Sequence, residues 1–195
     1  MKVGAEIGVL AGDFAAHTLR RWHGCERYLM VDPWLHLDSA EYNLNIYQNE
    51  ELMNRALDAA RKANNKNAAI EVCRNFSTAC APMHPDGSFD YVYVDARHDY
   101  ASAMEDIRAW WPKVRRGGIL AGHDYVDAIE GGNSGMDWAV QVDGSRDHLG
   151  RAVQGAVDDF AAEVNRQVFV VYEERHDNMD ILKDYPNHPS WLIRK

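Results

Sequence analysis

Seven short runs of β-forming residues, most of them separated by amphipathic stretches with brief connections, constrain this chain more than any other feature. The runs are Lys2–Leu10, Arg27–Val31, Ala68–Cys73, Phe89–Val94, Ile119–Gly122, Val168–Tyr172 and Trp191–Ile193. Between them, apolar residues recur at three-to-four spacing in Asp13–Trp22, Glu50–Asn64, Tyr100–Val114 and Leu149–Val164, which predicts helices. Strand–helix alternation of this kind predicts a mostly parallel sheet with helices on both faces. Phe89–Val94 is almost entirely apolar, as a central strand covered on both sides requires. The last two runs are expected to form an antiparallel pair joined by the polar segment Glu173–Pro189. Asp99 is expected to cap the Tyr100 helix, and Ser77 a short helix before Pro82. Gly117-Gly118 is read as the stop after that helix. At 195 residues, one domain spanning residues 1–195 is expected, large enough to bury a core.

The residues that end the strands carry the chemistry. Glu6-Ile7-Gly8-Val9-Leu10-Ala11-Gly12 follows the first strand and opens a helix, and its glycines permit a sharp turn and close ligand approach. Asp13 stands where a helix N-terminus would otherwise favour an anion, so a zwitterionic ligand suits this loop better than a pyrophosphate. The spacing also departs from the dinucleotide fingerprint GxGxxG. Asp32 ends the second strand about 20 residues after the loop, where a carboxylate can bind ribose hydroxyls or start an Asp-Pro turn. Asn75, Phe76 and Ser77 follow the third strand, where they suit either a purine site or a helix cap with a core aromatic.

Two neighbouring strands end in acid–base residues. The fourth delivers Asp95, with His98 three positions on, and the fifth delivers His123 and Asp124. Such a set can converge on one divalent cation. His98 is a candidate general base, because an imidazole titrates near neutral pH. A histidine ligand at 123 tilts preference from Mg²⁺ toward Mn²⁺, Fe²⁺ or Zn²⁺. The alternative is that no metal binds and His123 or His98 alone does the acid–base work. Between Val126 and His148 lies a long glycine-rich stretch of the sort that carries function.

Composition narrows the partners. The net charge is −9 and the basic clusters are Arg20-Arg21 and Lys113–Arg116, which argues against nucleic acid and for a small molecule. No apolar run reaches the roughly 20 residues of a membrane span, and the first residues do not read as a secretory signal, so a cytoplasmic location is expected. The three cysteines, Cys25, Cys73 and Cys80, form no CxxC pair, and their odd count favours buried free thiols. The Trp110-Trp111 pair suits either core or interface, which leaves a homodimer open.

EIGVLAG, YLMVDPW, DYVYVDARHDY and GGILAGHDY, in this order, resemble the class I S-adenosylmethionine (SAM)-dependent methyltransferases of the Methyltransf_24 type, from Glu6 to about Phe160. Macrolide-sugar and catechol O-methyltransferases are relatives of that group. The resemblance implies a Rossmann-like, doubly wound α/β fold. It implies that Glu6, Gly8 and Gly12 line the SAM pocket, that Asp32 binds ribose, and that Asn75, Phe76 and Ser77 surround adenine. It places Asp95 at the methionine moiety and, with Asp124, on a divalent metal, and it puts His98 in the place of the general base. Metal-dependent sugar methyltransferases of this type have two adjacent acids where this chain has His123-Asp124, and catechol enzymes have Asp-Asn where it has Asp124-Tyr125. The implied reaction is O-methylation of a small hydroxylated acceptor, with Trp34, Tyr42, Tyr47, Tyr125 and Trp138 as generic candidates to shape its site. The Val126–His148 loop is expected to cover the acceptor. An NAD-dependent oxidoreductase and a catalytically silent SAM-binding module are the competing expectations.

Overall fold

A computed structural model describes residues 1–35, 49–64, 68–132, 137–172 and 188–195. Chain order is β1 (Val3–Ile7), α1 (Asp13–Arg21), β2 (Arg27–Val31), α2 (Glu50–Ala63), β3 (Ala69–Cys73), α3 (Ser77–Cys80), a 3₁₀ turn (Ala81–Met83), β4 (Phe89–Val94), α4 (Tyr100–Trp110), β5 (Val114–Gly122), α5 (Ala128–Gly131), α6 (Val153–Glu163), β6 (Val168–Val171) and β7 (Ser190–Arg194). The seven strands form one sheet in the order β3-β2-β1-β4-β5-β7-β6. β1 to β5 are parallel, and β7 runs antiparallel to both β5 and β6. The order reverses beside β1, and ligands in such sheets bind where the order reverses, beyond the carboxyl ends of the strands.

Period-two alternation sorts the strand residues onto two cores. Leu29 and Val31 of β2 join Phe89, Ile107, Trp110, Val157 and Phe160 on the face covered by α4 and α6. Tyr28 and Met30 join Ala15, Leu19, Ala56 and Ala60 on the face covered by α1 and α2. Asp99 caps α4, its Oδ1 accepting from the Ser102 amide at 3.1 Å. Trp110 is buried edge-on against Phe89, whereas Trp111 packs at the core margin.

Several boundaries differ from expectation. Ser77 is the first residue of α3 rather than its cap, because its hydroxyl accepts from Trp110 Nε1 at 2.8 Å instead of an amide. Gly117-Gly118 does not end a segment. It lies inside β5, where the pairing with β4 jumps from Phe89↔Val114 to Tyr91↔Ile119 around a bulge. The helix expected from Leu149 begins at Val153. Cys73 and Cys80 are bonded to each other, with Cα atoms 6.1 Å apart, and only Cys25 is a buried free thiol. An odd count excludes complete pairing but not one bridge, and the turn from β3 into α3 brings these two sulfurs within bonding geometry. Tyr42, Tyr47 and most of Glu173–Pro189 lie outside the described residues.

Candidate active site

A cavity of about 600 Å³ opens beyond the carboxyl ends of β1, β2, β3 and β4. Its size suits a small-molecule site of roughly 300–1,000 Å³. Glu6, Gly8, Asp32, Asn75, Phe76, Ser77, Asp95 and His98 all line it. Gly12 does not. It is the left-handed N-cap of α1, and a side chain there would strike the Ala56 backbone of α2 at 2.7 Å. Gly8 is fixed by a still closer approach, since a Cβ would sit 1.9 Å from the carbonyl oxygen of Asp95. The first loop and the end of β4 are thus packed backbone to backbone, which positions Asp95 at the cavity.

Asp32 organises the glycine loop. Its Oδ2 accepts from the amides of Val9 and Leu10 at 2.9 and 3.0 Å, and its Oδ1 from the amide of Trp34 at 2.7 Å. The Trp34 indole then donates to the carbonyl of Leu10 at 2.9 Å. Trp34 is therefore a core brace rather than part of an acceptor site. Glu6 is fully buried, accepts from the Tyr28 hydroxyl at 3.1 Å, and is pushed well above the usual carboxylate range by burial.

At the other end of the cavity the acid–base residues meet. His98 Nε2 lies 3.0 Å from Asp124 Oδ2 and 3.7 Å from Asp95 Oδ1. Burial alone would lower the His98 pKa, but the hydrogen bonds to Asp124 and Asp95 and their charges raise it to about 10. Asp124 is drawn far below its ordinary value. Burial opposes that shift, and hydrogen bonds from His123, His188 and His98 outweigh it. Asp124 Oδ1 accepts from His188 Nδ1 at 2.7 Å and lies 3.2 Å from His123 Nδ1. A left-handed backbone at Asp124 (φ 57°) aims its carboxylate at this cluster, a conformation that aspartate tolerates better than most residues. Trp138, from the long loop, stacks on the His98 ring at 4.4 Å and meets His188 edge-on at 5.5 Å.

One donor atom each from Asp95, His98 and Asp124 lies within 4.8 Å of the others, and two carboxylates with an imidazole fit a divalent cation. His123, expected to join that group, stands against the Oδ1 side of Asp124 instead. His188 was not foreseen, because an isolated histidine after a polar segment carries no local pattern. Asp106, Ser102 and Glu105 of α4 also line the cavity unforeseen. The signal for Asp106 was a carboxylate beside the apolar stripe of its helix. Tyr125 is turned away from the cluster, its hydroxyl donating to Asp158 at 2.7 Å.

Residues 5–125 match the family described as methyltransferase domain, Methyltransf_24. The chain belongs to this methyltransferase family. It is a class I SAM-dependent methyltransferase, and the seven-stranded sheet with its antiparallel β7 is the fold its resemblance implied. Among solved structures, an O-methyltransferase from Bacillus cereus in complex with S-adenosylhomocysteine (SAH) superposes with a TM-score of 0.59 at 16% identity, covering 100% of this chain and 74% of that one. The O-methyltransferase TomG from Streptomyces achromogenes, involved in tomaymycin synthesis and in complex with SAM, gives 0.57 at 15%, covering 99% and 72%. A SAM-dependent methyltransferase from Archaeoglobus fulgidus gives 0.59 at 10%, covering 100% and 86%. At these identities the likeness concerns the fold. Compared with curated proteins, the methyltransferase chain matches none. Among its described residues, no helix is long and apolar enough to cross a membrane.

Proposed function

We propose that this methyltransferase holds SAM in the cavity lined by Glu6, Gly8, Asp32 and Phe76 and methylates an oxygen of a small hydroxylated acceptor at Asp95, His98 and Asp124. One observation carries this reading: Asp95 and His98 line the cofactor cavity and also belong to the carboxylate–imidazole cluster. When bound, SAM supplies a sulfonium-activated methyl group, so the protein's task is alignment and proton removal. Asp32 holds the loop amides in place and faces the ribose end. Glu6 offers a buried carboxyl to the methionine end.

Asp95 and Asp124 would hold a divalent cation, which would lower the pKa of an acceptor hydroxyl. His98 takes the acceptor proton at its imidazole, and the flanking carboxylates stabilise the imidazolium. His123 and His188 keep the Asp124 carboxylate ionised and oriented. Trp138 closes over His98 and shields it from water. A net charge of −9 supports a small-molecule acceptor over nucleic acid.

The test is SAH release from SAM with a catechol and with free sugars as acceptors, in Mg²⁺, in Mn²⁺ and in chelator. Turnover is expected with at least one vicinal diol, depressed by chelator and lowered about 10³-fold in His98→Ala. SAM binding without turnover on any hydroxylated acceptor, or turnover indifferent to His98, contradicts it.

A further inference from the structure

We propose that Asp106 selects the nucleobase of the cofactor, accepting hydrogen bonds from the exocyclic amino group of adenine. This rests on the SAM reading of the cavity and extends it to a residue of α4. Asp106 is only 7% exposed, yet it lines the same cavity as Asn75, Phe76 and Ser77. The Ser77 hydroxyl accepts from Trp110 Nε1 at 2.8 Å, so its single proton is free to go to Asp106, its hydrogen-bond partner. A carboxylate offers about four lone-pair sites, and Ser77 uses one of them.

Two further features point to an amino-bearing aromatic ligand. Phe76 is 48% exposed and presents an apolar ring to the same cavity, a face on which a planar base can lie. Burial is the main cause that pushes Asp106 up to about 7, and the Ser77 hydroxyl offsets it only in part. A buried carboxyl short of donors is satisfied by a ligand that brings N–H groups. Adenine brings two on its amino group. Hypoxanthine puts a carbonyl in that place, which would set lone pairs against the carboxylate, and its one N–H on that edge sits at N1 instead. Asn75 and Ser77, which follow β3, are neutral, so the acidic acceptor of this site comes from the α4 side.

A purely structural Asp106, tying α4 to α3 through Ser77, would affect all ligands of the cavity alike. The experiment is calorimetric titration of the full chain with SAH and with S-inosyl-L-homocysteine, in which a carbonyl replaces the amino group and the adjacent N1 carries a hydrogen. The wild type should prefer SAH by about tenfold or more. In Asp106→Asn the ratio should fall to within about threefold, because the amide can turn its N–H₂ toward the carbonyl. Asp106→Ser serves if the first variant does not fold, and there too the ratio should collapse. A wild-type ratio near one overturns the assignment without any variant, and so does a tenfold ratio that survives both substitutions. An equal loss of both ligands, at constant ratio, assigns Asp106 to structure and overturns it as well. If SAH itself does not bind at millimolar concentration, the SAM reading falls and the assignment falls with it. If SAH binds without discrimination, only the assignment falls.

Discussion

The glycine-loop end of the cavity is assembled from two strand–turn–helix units, whereas the acid–base corner gathers single residues from 95 to 188. At the first end, Gly8, Val9, Leu10 and Asp32 lock a strand–loop–helix turn through backbone amides. Asn75, Phe76 and Ser77 stand on another such turn, between β3 and α3, which is closed by the Cys73–Cys80 bridge. At the second end, Asp95 and His98 leave β4, His123 and Asp124 leave β5, Trp138 comes from a loop, and His188 precedes β7. Asp32, accepting from the amides of Val9, Leu10 and Trp34, holds the first end in place. Long-range side-chain contacts make the second end depend on the whole fold.

The largest expected effect separates the two ends by kinetics. His98→Ala should lower kcat about 10³-fold, the scale of a lost general base, while SAH affinity by calorimetry stays within about threefold. In chelator, the wild-type rate should climb with pH toward about 10, because only neutral imidazole accepts a proton and the carboxylates hold His98 protonated below that point. A flat profile in chelator, or a loss of SAH binding in His98→Ala, would break the distinction between the ends.

Asp32→Ala attacks the glycine-loop end. Three amides lose their acceptor, so unfolding free energy should fall by about 2–3 kcal/mol and SAH affinity by about 10- to 100-fold. Denaturant titration and calorimetry read the two effects. Unchanged affinity would mean that the loop is held by something other than Asp32.

Smaller again is the bridge. Cys80→Ser should cost about 2 kcal/mol, as expected for a short closed loop. It should weaken SAH binding while leaving the cation affinity of the other end intact, which titration of Mn²⁺ followed by paramagnetic resonance would show.

The smallest effect lies at neither end. Asp90, the second residue of β4, accepts from the amides of Lys2 and Val3 at 2.6 and 2.8 Å and from Arg115. Burial opposes the shift, but these bonds bring its pKa down to about 2. A lowered carboxylate pKa contributes stability that is present above its unfolded value near 4 and lost as pH falls toward 2. The difference in unfolding free energy between wild type and Asp90→Asn should be about 1–2 kcal/mol at pH 6 and shrink toward pH 2.

What the sequence made legible follows the same division. Strand ends, the glycine turn, Asp32, Asp95, His98 and Asp124 are each marked by local pattern, and the structure brings them to one cavity wall or its edge. His188 and Asp106 are not, because their roles exist only after β7 and α4 have docked. Local rules misled where tertiary contacts compete with them. Ser77 looks like a cap but serves Trp110 and Asp106. Gly117-Gly118 looks like a stop, but glycine inside a strand can instead mark a bulge. Cys73 and Cys80 look unpaired because pairing depends on the path of the chain between them.

The central claim is that one cavity joins a SAM site to the Asp95–His98–Asp124 corner. A crystal structure of the protein soaked with SAH and Mn²⁺ tests it most directly, with anomalous scattering to locate the ion. Adenine should lie between Phe76 and Asp106, the sulfur beside Asp95, and a manganese peak on Asp95 and Asp124. SAH density outside this cavity, or its sulfur turned away from Asp95 and His98, would contradict it.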